Sequence, residues 1–210
     1  MQPTKRKNVF ADLKTEEKRA RQRIIISAAE RVFAEKPFNR VSIRDIAREA
    51  GISHASIYRY FPDQQSLFVE AFLRGAQEIG TTLAGIIDEA GEVDICRISD
   101  VYVNYLIEND PYFRMMTHFM LDGSLSGEKV EKLNRAERQL FDHFDRLFRK
   151  MRRPEPVRPL SHAFFAALNG VLITFRNYPG RTTEEVRQHM LAIARVIARG
   201  FSSAEPDGGN

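Results

Sequence analysis

Residues 53–60 bring together side chains that can donate and accept hydrogen bonds, in the order Ser-His-Ala-Ser-Ile-Tyr-Arg-Tyr. Only Ile57, with Phe61 four residues later, has the spacing of a buried helical face. The other side chains therefore face outward, and they include serine, histidine and tyrosine where a solvated helix usually carries Glu and Lys. Hydroxyl, imidazole and guanidinium groups contact base edges and phosphates when a short helix enters the DNA major groove. The segment predicts a nucleic-acid contact surface.

A second short helix must precede this segment and position it. Ser42 has the place of an N-cap, and Asp45 three residues later completes a capping-box pattern. Gly51 can adopt the left-handed conformation that ends a helix, and Ser53 can cap the next one. Between the two caps runs one apolar stripe at helical spacing, made of Ile43, Ile46, Ala47 and Ala50. Two short helices joined by one tight turn are predicted over residues 42–61.

This stretch resembles the helix-turn-helix of TetR-type (TetR/AcrR) transcriptional regulators. The matching residues are Ala47, Gly51, Ile52, Ser53, Ile57, Tyr58, Tyr60 and Phe61, followed by Asp63, Ser66 and Leu67 at the start of the next helix. Two positions depart from the family pattern. Pro37 stands where the family usually has Gly, and Gln64 stands where it usually has a Lys that contacts phosphate.

The resemblance and the outward positions together predict the DNA-binding residues. We expect Arg44 at the start of the first motif helix to read a base, and Tyr58 and Tyr60 to hold phosphates. The full predicted set is Ser42, Arg44, Ser53, His54, Ala55, Ser56, Tyr58, Arg59 and Tyr60. Charge supports it, because residues 1–60 hold 14 Lys and Arg against 7 Asp and Glu, whereas residues 61–210 hold 18 against 21. Positive charge thus accompanies the motif, as a phosphate-binding surface requires.

The remaining chain reads as helices throughout. The fold class predicted is all-α, with about nine helices in a three-helix DNA-binding head and a larger ligand-binding and dimerisation body. The predicted divisions are a flexible basic arm over 1–14, the helix-turn-helix domain over 15–61, the body over 62–201 and a loose tail over 202–210. The arm could reach a minor groove or be a disordered leader. Apolar periodicity predicts body helices over about 63–89, 94–108, 110–121, 126–151, 160–178 and 182–200.

Enzymatic and metal chemistry find no support in the sequence. There is no phosphate-cradling glycine loop, no Gly-x-Ser-x-Gly elbow and no His-Glu-x-x-His pair. The five histidines lie at 54, 118, 143, 162 and 189 without metal-ligand spacing. No catalytic residue, no metal and no cofactor is therefore predicted. The single cysteine, Cys96, is a buried apolar residue or a lone reactive thiol, and the absence of a disulfide framework, of an apolar span and of a signal peptide predicts a cytoplasmic protein.

The body is rich in aromatic and methionine side chains. These residues build either an ordinary core or the walls of a small-molecule pocket, which the family resemblance implies. No charged residue is recognised within the apolar stripes, so the expected effector is small and largely apolar. The predicted pocket residues are Phe72, Tyr102, Tyr105, Tyr112, Met115, Met116, His118, Phe119, Phe144 and Phe165.

Small residues alternate with large ones in the last two helices, and small residues permit close helix approach. This pattern suits either the protomer core or the homodimer interface that the resemblance implies. The predicted interface residues are Phe164, Ala167, Gly170, Thr174, Met190, Ala194 and Ile197. The resulting hypothesis is a homodimeric repressor that a small effector releases from a double-stranded DNA operator, without a membrane partner. The alternatives are a constitutive architectural DNA-binding protein without an effector, and an enzyme body fused to a DNA-binding head.

Overall fold

The computed structural model describes residues 9–36, 38–89, 91–121 and 127–203. Those residues form helices and turns only, so the predicted all-α fold is confirmed. One short 3₁₀ helix (Phe38–Arg40) accompanies nine α-helices: α1 (Val9–Glu35), α2 (Ile43–Glu49), α3 (His54–Ile57), α4 (Gln64–Asp88), α5 (Ile95–Glu108), α6 (Asp110–Leu121), α7 (Glu128–Lys150), α8 (Arg158–Phe175) and α9 (Thr183–Ser203).

The head consists of α1, α2 and α3. Two small residues of α1, Ala28 and Ala29, are completely buried, which lets α2 approach α1 closely. Ile46 of α2 and Ile57 of α3 are also completely buried, and they close the apolar centre between the three helices. The head core is therefore assembled from the stripe that the sequence predicts.

The first helix starts earlier than its sequence indicates. We expect it to begin at Thr15, but α1 begins at Val9. Residues 9–14 include Ala, Leu and Lys, which favour helix, and no glycine or proline interrupts them. Residues 9–14 of the predicted arm are thus helical, and residues 1–8 of it lie outside the described residues, as does Pro37.

The body packs α4 along α7, α5 along α9, and α8 between α7 and α9. Other boundaries differ by two or three residues: α7 begins at Glu128, α8 runs from Arg158, with Pro159 in its first turn, to Phe175, and α9 continues to Ser203. Proline is accepted in a first helical turn because the N–H that it lacks has no partner there. Residues 204–210 of the predicted tail lie outside the described residues. None of the described helices is long and apolar enough to cross a membrane.

Helix α4 joins the head to the body. Its N-cap, Asp63, accepts a hydrogen bond from the Ser66 backbone N–H at 2.6 Å and pairs with Lys129 Nζ of α7 at 2.7 Å. Further along α4, the Arg74 guanidinium donates to Ser27 Oγ of α1 at 2.9 Å and pairs with Glu30. These contacts fix α4 against α1 of the head and α7 of the body.

Candidate nucleic-acid interface and body pocket

The start of α2 is fixed by a complete capping box. The Asp45 backbone N–H donates to Ser42 Oγ at 3.2 Å, and the Ser42 backbone N–H donates to Asp45 Oδ2 at 3.1 Å. Hydrogen bonding from Ser42, followed by that from Lys36, lowers the pKa of Asp45 from 3.8 to about 2. The Ser42 hydroxyl also donates to Asp45 Oδ2 at 2.7 Å, so its proton is already engaged inside the cap.

The turn between α2 and α3 has the geometry that its residues predict. Gly51 has a φ of +67°, a left-handed conformation that L side chains rarely adopt. The Ile52 backbone N–H donates to the Ala47 carbonyl at 3.0 Å, which closes the end of α2. Ser53 then caps α3 by accepting a hydrogen bond from the Ser56 backbone N–H at 3.2 Å. Ile57 anchors this short helix, so its other side chains are left at the surface.

The predicted DNA-binding residues all occupy surface positions of the head. Ser56 and Tyr60 are half-buried, and Tyr58 is 53% exposed although it is aromatic. The other members of the set are exposed: Ser42, Arg44, Ser53, His54, Ala55 and Arg59. The surface therefore displays hydrogen-bonding groups and two phenols, without a glutamate or aspartate on α3.

Arg21 of α1 also belongs to this surface, although the motif does not include it. Its guanidinium donates to Glu17 Oε1 at 2.6 Å, and this bond, followed by the interaction with Tyr60, raises the pKa of Arg21. Arg21 therefore places a guanidinium, ion-paired with Glu17, beside a phenol that is predicted to hold phosphate. Nothing in the sequence pattern of α2 and α3 points to it, because it lies about forty residues earlier.

Gln64 has a structural contact in place of the expected phosphate contact. Its side-chain Nε2 donates to the Phe38 carbonyl at 2.9 Å. This bond ties the start of α4 to the 3₁₀ helix of the head. Gln64, which replaces the Lys usual in the family pattern, thus links the start of α4 to the head.

A narrow pocket lies between α4, α6, α7 and α8. Its volume is only about 10 Å³, so the surrounding side chains nearly close it. Five of the ten predicted pocket residues line it, and the complete lining is Phe72, Ala76, Tyr112, Met116, Phe119, Met120, Ala136, Glu137, Leu140 and Phe165. Met120 is 41% exposed, so this side chain stands at the mouth of the pocket.

The other five predicted pocket residues lie elsewhere. Met115 and His118 face a separate space of about 140 Å³ against Phe38 and Phe68, because they lie on the opposite side of α6. Tyr105 donates from its hydroxyl to the Gly75 carbonyl at 3.0 Å and to Glu78 Oε2 at 3.2 Å. Tyr102 and Phe144 pack edge to face in the core. For these five residues the pocket assignment is not supported by the positions of their side chains.

The pocket contains one carboxylate that the apolar pattern does not predict. Glu137 lies in the same stripe of α7 as the buried Leu133 and Leu140, so the expectation that no charge enters the apolar stripes is wrong. Burial raises the pKa of Glu137, opposed by His162 and Arg138. The sequence does contain a signal for this position: Glu137 follows Leu133 by four residues and precedes Leu140 by three, which is the spacing of one helical face.

A larger open groove of about 740 Å³ runs along α4 and α7. Polar side chains including Gln77, Thr81, Asp142 and Arg146 line it, and His143 approaches Gly80 at its floor. Burial, followed by the nearby Arg146, lowers the pKa of His143. This groove lies outside the aromatic cluster and contains none of the predicted pocket residues.

The predicted dimer residues divide into two groups. Phe164, Met190 and Ala194 are buried inside the protomer, where Phe164 packs against Phe144 and Phe148, so these three have no surface for a second copy. Ala167, Gly170 and Ile197 are half-buried, and Thr174 is exposed. Two exposed apolar residues accompany them, Ile173 of α8 at 59% and Val196 of α9 at 65%.

Within the described ranges, no group of three His, Cys, Asp or Glu residues is arranged to hold a metal ion. Cys96 is half-buried near the start of α5.

Comparison with known proteins agrees with the sequence resemblance. Residues 25–71 match the family described as bacterial regulatory proteins, tetR family. An uncharacterized HTH-type transcriptional regulator of Haemophilus influenzae is 29% identical over 108 residues, which are 48% of this chain and 50% of that protein. The chain thus spans about half the length of this relative. The predicted resemblance to TetR-type regulators is confirmed.

Two longer matches extend the likeness beyond the head. The HTH-type transcriptional regulator YfiR of Bacillus subtilis is 24% identical over 168 residues, which are 75% of this chain and 80% of that protein. The crystal structure of the TetR family transcriptional regulator PfmR of Thermus thermophilus superposes with a TM-score of 0.62 and 26% identity. That superposition covers 82% of this chain and 94% of PfmR, so it includes the helical body.

Proposed function

We propose that this TetR-family chain is a DNA-binding transcriptional regulator, a homodimeric repressor whose body takes a small effector with a largely apolar structure. The observation that carries the proposal is the capped helix-turn-helix, in which Ile57 is buried and the other side chains of α3 face solvent. We assign residues 15–61 to DNA binding and residues 62–201 to effector binding and dimerisation.

Reading of DNA is proposed to divide between α2 and α3. Arg44 can pair bidentately with a guanine, while His54, Ala55 and Ser56 meet base edges. Tyr58, Arg59 and Tyr60 hold phosphates, supported by the neighbouring charge of Arg21. Ser42 and Ser53 position the two helices through their caps, and the Ser42 hydroxyl, whose proton Asp45 engages, contacts DNA only as an additional acceptor.

Selection of binding sites from random DNA tests this assignment. Arg44→Ala is expected to cost about 1–3 kcal/mol at selected base pairs and to relax the preference there, whereas Tyr60→Ala weakens binding to all sequences alike. Arg135→Ala is the matched control, because it removes the same charge from an exposed position of α7. If Arg44→Ala keeps the wild-type site preference, the reading role of Arg44 is wrong.

Release by an effector is proposed to act through α4. A ligand that separates α6 from α7 moves the helix that Lys129 and Arg74 tie to both neighbours. The ligand shifts the equilibrium between the operator-binding and the released arrangement only by the difference between its affinities for them. An architectural protein without an effector is favoured by one observation, the small volume of the pocket. Operator affinity measured with and without bound ligands distinguishes the two functions.

A further inference from the structure

Glu137 is a carboxylate placed among hydrocarbon groups without a matching donor. It lines the narrow pocket together with Leu140, Met116 and four aromatic rings. Among the described residues, no cation lies within 4.0 Å of its oxygens and no N–H or O–H group donates to them. His162 and Arg138 act on it only through longer-range electrostatics. Neither oxygen of Glu137 is among the fully buried unpaired atoms, so both reach water, but burial has already removed part of the hydration that stabilises the charge.

The rings around Glu137 offer electron-rich faces. Phe72 lies 5.3 Å from Tyr112 and 5.8 Å from Phe119, measured between ring centroids, and neither pair is stacked. All three rings line the pocket. A positive charge above such a face is attracted by the ring quadrupole, and the attraction grows where water is excluded.

A second acceptor without a partner lies behind the pocket. Asn169 of α8 is only 5% exposed, and its Nδ2 donates to Tyr102 Oη at 3.1 Å and to the Phe165 carbonyl at 2.8 Å. Its Oδ1 has no hydrogen-bond partner in the described structure. Asn169 Oδ1 is therefore an acceptor behind the pocket, and Glu137 is the acceptor within its lining.

The negative charge of Glu137 distinguishes between possible classes of effector. A purely apolar molecule would leave the Glu137 carboxylate without a counter-charge, and a carboxylate would be repelled by Glu137. An amine or a quaternary ammonium ion with an aromatic or alkyl body satisfies the carboxylate and places its hydrocarbon against the rings. The flexible side chains of Met116 and Met120 can move aside at the mouth to admit such a molecule.

We propose that the effector of this pocket is a lipophilic organic cation, which Glu137 binds through charge and Phe72, Tyr112, Phe119 and Phe165 surround. This inference rests on the proposed function for its regulatory meaning, but the binding event does not depend on it. The raised pKa of Glu137 agrees with a carboxyl group that lacks a counter-charge when the pocket is empty. Helix α7 supplies the charged group and α4, α6 and α8 supply the rings.

The test uses the full chain and pairs of probes that differ only in charge. Phenylalkyl-trimethylammonium ions of increasing tail length are compared with neutral isosteres in which carbon replaces nitrogen, by titration calorimetry and by thermal denaturation. We expect at least one cation to bind wild type about tenfold or more tightly than its isostere, a difference of about 1.4 kcal/mol. Glu137→Gln should lose that preference, whereas Glu128→Gln, which removes an exposed carboxylate of the same helix, should keep it.

Three outcomes overturn the proposal: equal binding of cation and isostere, unchanged cation binding in Glu137→Gln, or no binding of any cation in the series. The comparison of the two probes in wild type stands even if a variant fails to fold. Operator binding is measured separately. A cation that binds through Glu137 without changing operator affinity supports the ligand class and contradicts the proposed release mechanism, whereas release by the neutral isosteres alone supports the mechanism and contradicts the class.

Discussion

Asp45 illustrates how single residues set the geometry of the head. It completes the capping box with Ser42, and its Oδ1 accepts a hydrogen bond from Lys36 Nζ of the segment after α1 at 2.9 Å. The carboxylate thus fixes both the first turn of α2 and the distance of α2 from the end of α1. Since Arg44 lies within that first turn, the direction of its side chain depends on the cap.

The lowered pKa of Asp45 predicts a pH-dependent contribution to stability. A carboxyl group whose folded-state pKa is depressed stabilises the fold above its ordinary pKa of 3.8, and this stabilisation is lost as the pH falls toward about 2. We expect the free energy of unfolding of wild type to exceed that of Asp45→Asn at neutral pH, and the difference to narrow through that window. Urea denaturation across pH measures it, with Glu92→Gln in an exposed loop as the control. A difference that stays constant with pH would contradict the role of the charge.

At the scale of elements, Gly75 sets the distance between α4 and α6. A Cβ at this position would lie 2.3 Å from Cδ2 and 2.7 Å from Cγ of Tyr112. The Tyr105 hydroxyl also donates to the Gly75 carbonyl, so three helices meet at one glycine. This close approach holds the Tyr112 ring against Phe72 in the wall of the pocket.

Gly75→Ala should therefore destabilise the protein although alanine favours helix. The overpacked Tyr112 ring costs about 1–3 kcal/mol, which outweighs a gain of about 1 kcal/mol in helix propensity. Gly85→Ala is the matched control on the same helix, since a Cβ there meets nothing within 4 Å, and it should stabilise the protein by up to about 1 kcal/mol. Thermal and urea unfolding of both variants check the sign. An equal gain in stability in both variants would mean that α6 moves away from the added methyl group at no cost in free energy.

Elements were predictable from the sequence to different degrees. The caps at Ser42, Ser53 and Asp63 depend on contacts three residues apart, so the local sequence predicts them and the structure has them. The predicted start of α1 is too late because Thr15, followed by Glu16 and Glu17, has the pattern of an N-cap. Residues 9–14 contain no glycine or proline to end a helix, so α1 continues through them. Helical spacing therefore predicts that a helix exists more reliably than where it begins.

The composition of the pocket could be predicted only in part, for a different reason. Both sides of α6 are apolar, so spacing alone does not indicate that Met116 and Phe119 face the pocket while Met115 and His118 face the head. Glu137 was missed because a charged residue within an apolar stripe is usually assigned to solvent. Which neighbour each face meets is decided by the packing of four helices, and no local pattern contains that information.

At the scale of the whole molecule, operator recognition requires two heads at a fixed distance. We propose that two copies join through α8 and α9, where Ala167, Gly170 and Ile173 share one face of α8 and Val196 is exposed on α9. A Cβ added at Gly170 meets nothing within 4 Å in the protomer. Gly170 is therefore a position where a substitution can obstruct a second copy without disturbing the subunit.

Gly170→Leu tests this interface at the molecular scale. The Cβ of the leucine has open space in the isolated protomer and leucine favours helix, so we expect the subunit itself to unfold no more easily. In a dimer packed through this face, the same side chain separates the helices and should convert the dimer to monomer, with operator affinity falling because each head then binds one half-site alone. Sedimentation velocity and titration of a DNA with both half-sites measure the two effects. Gly85→Leu, an equally open position on α4, should leave assembly and DNA binding unchanged. If Gly170→Leu remains a dimer with full operator affinity, two copies do not meet through this face of α8.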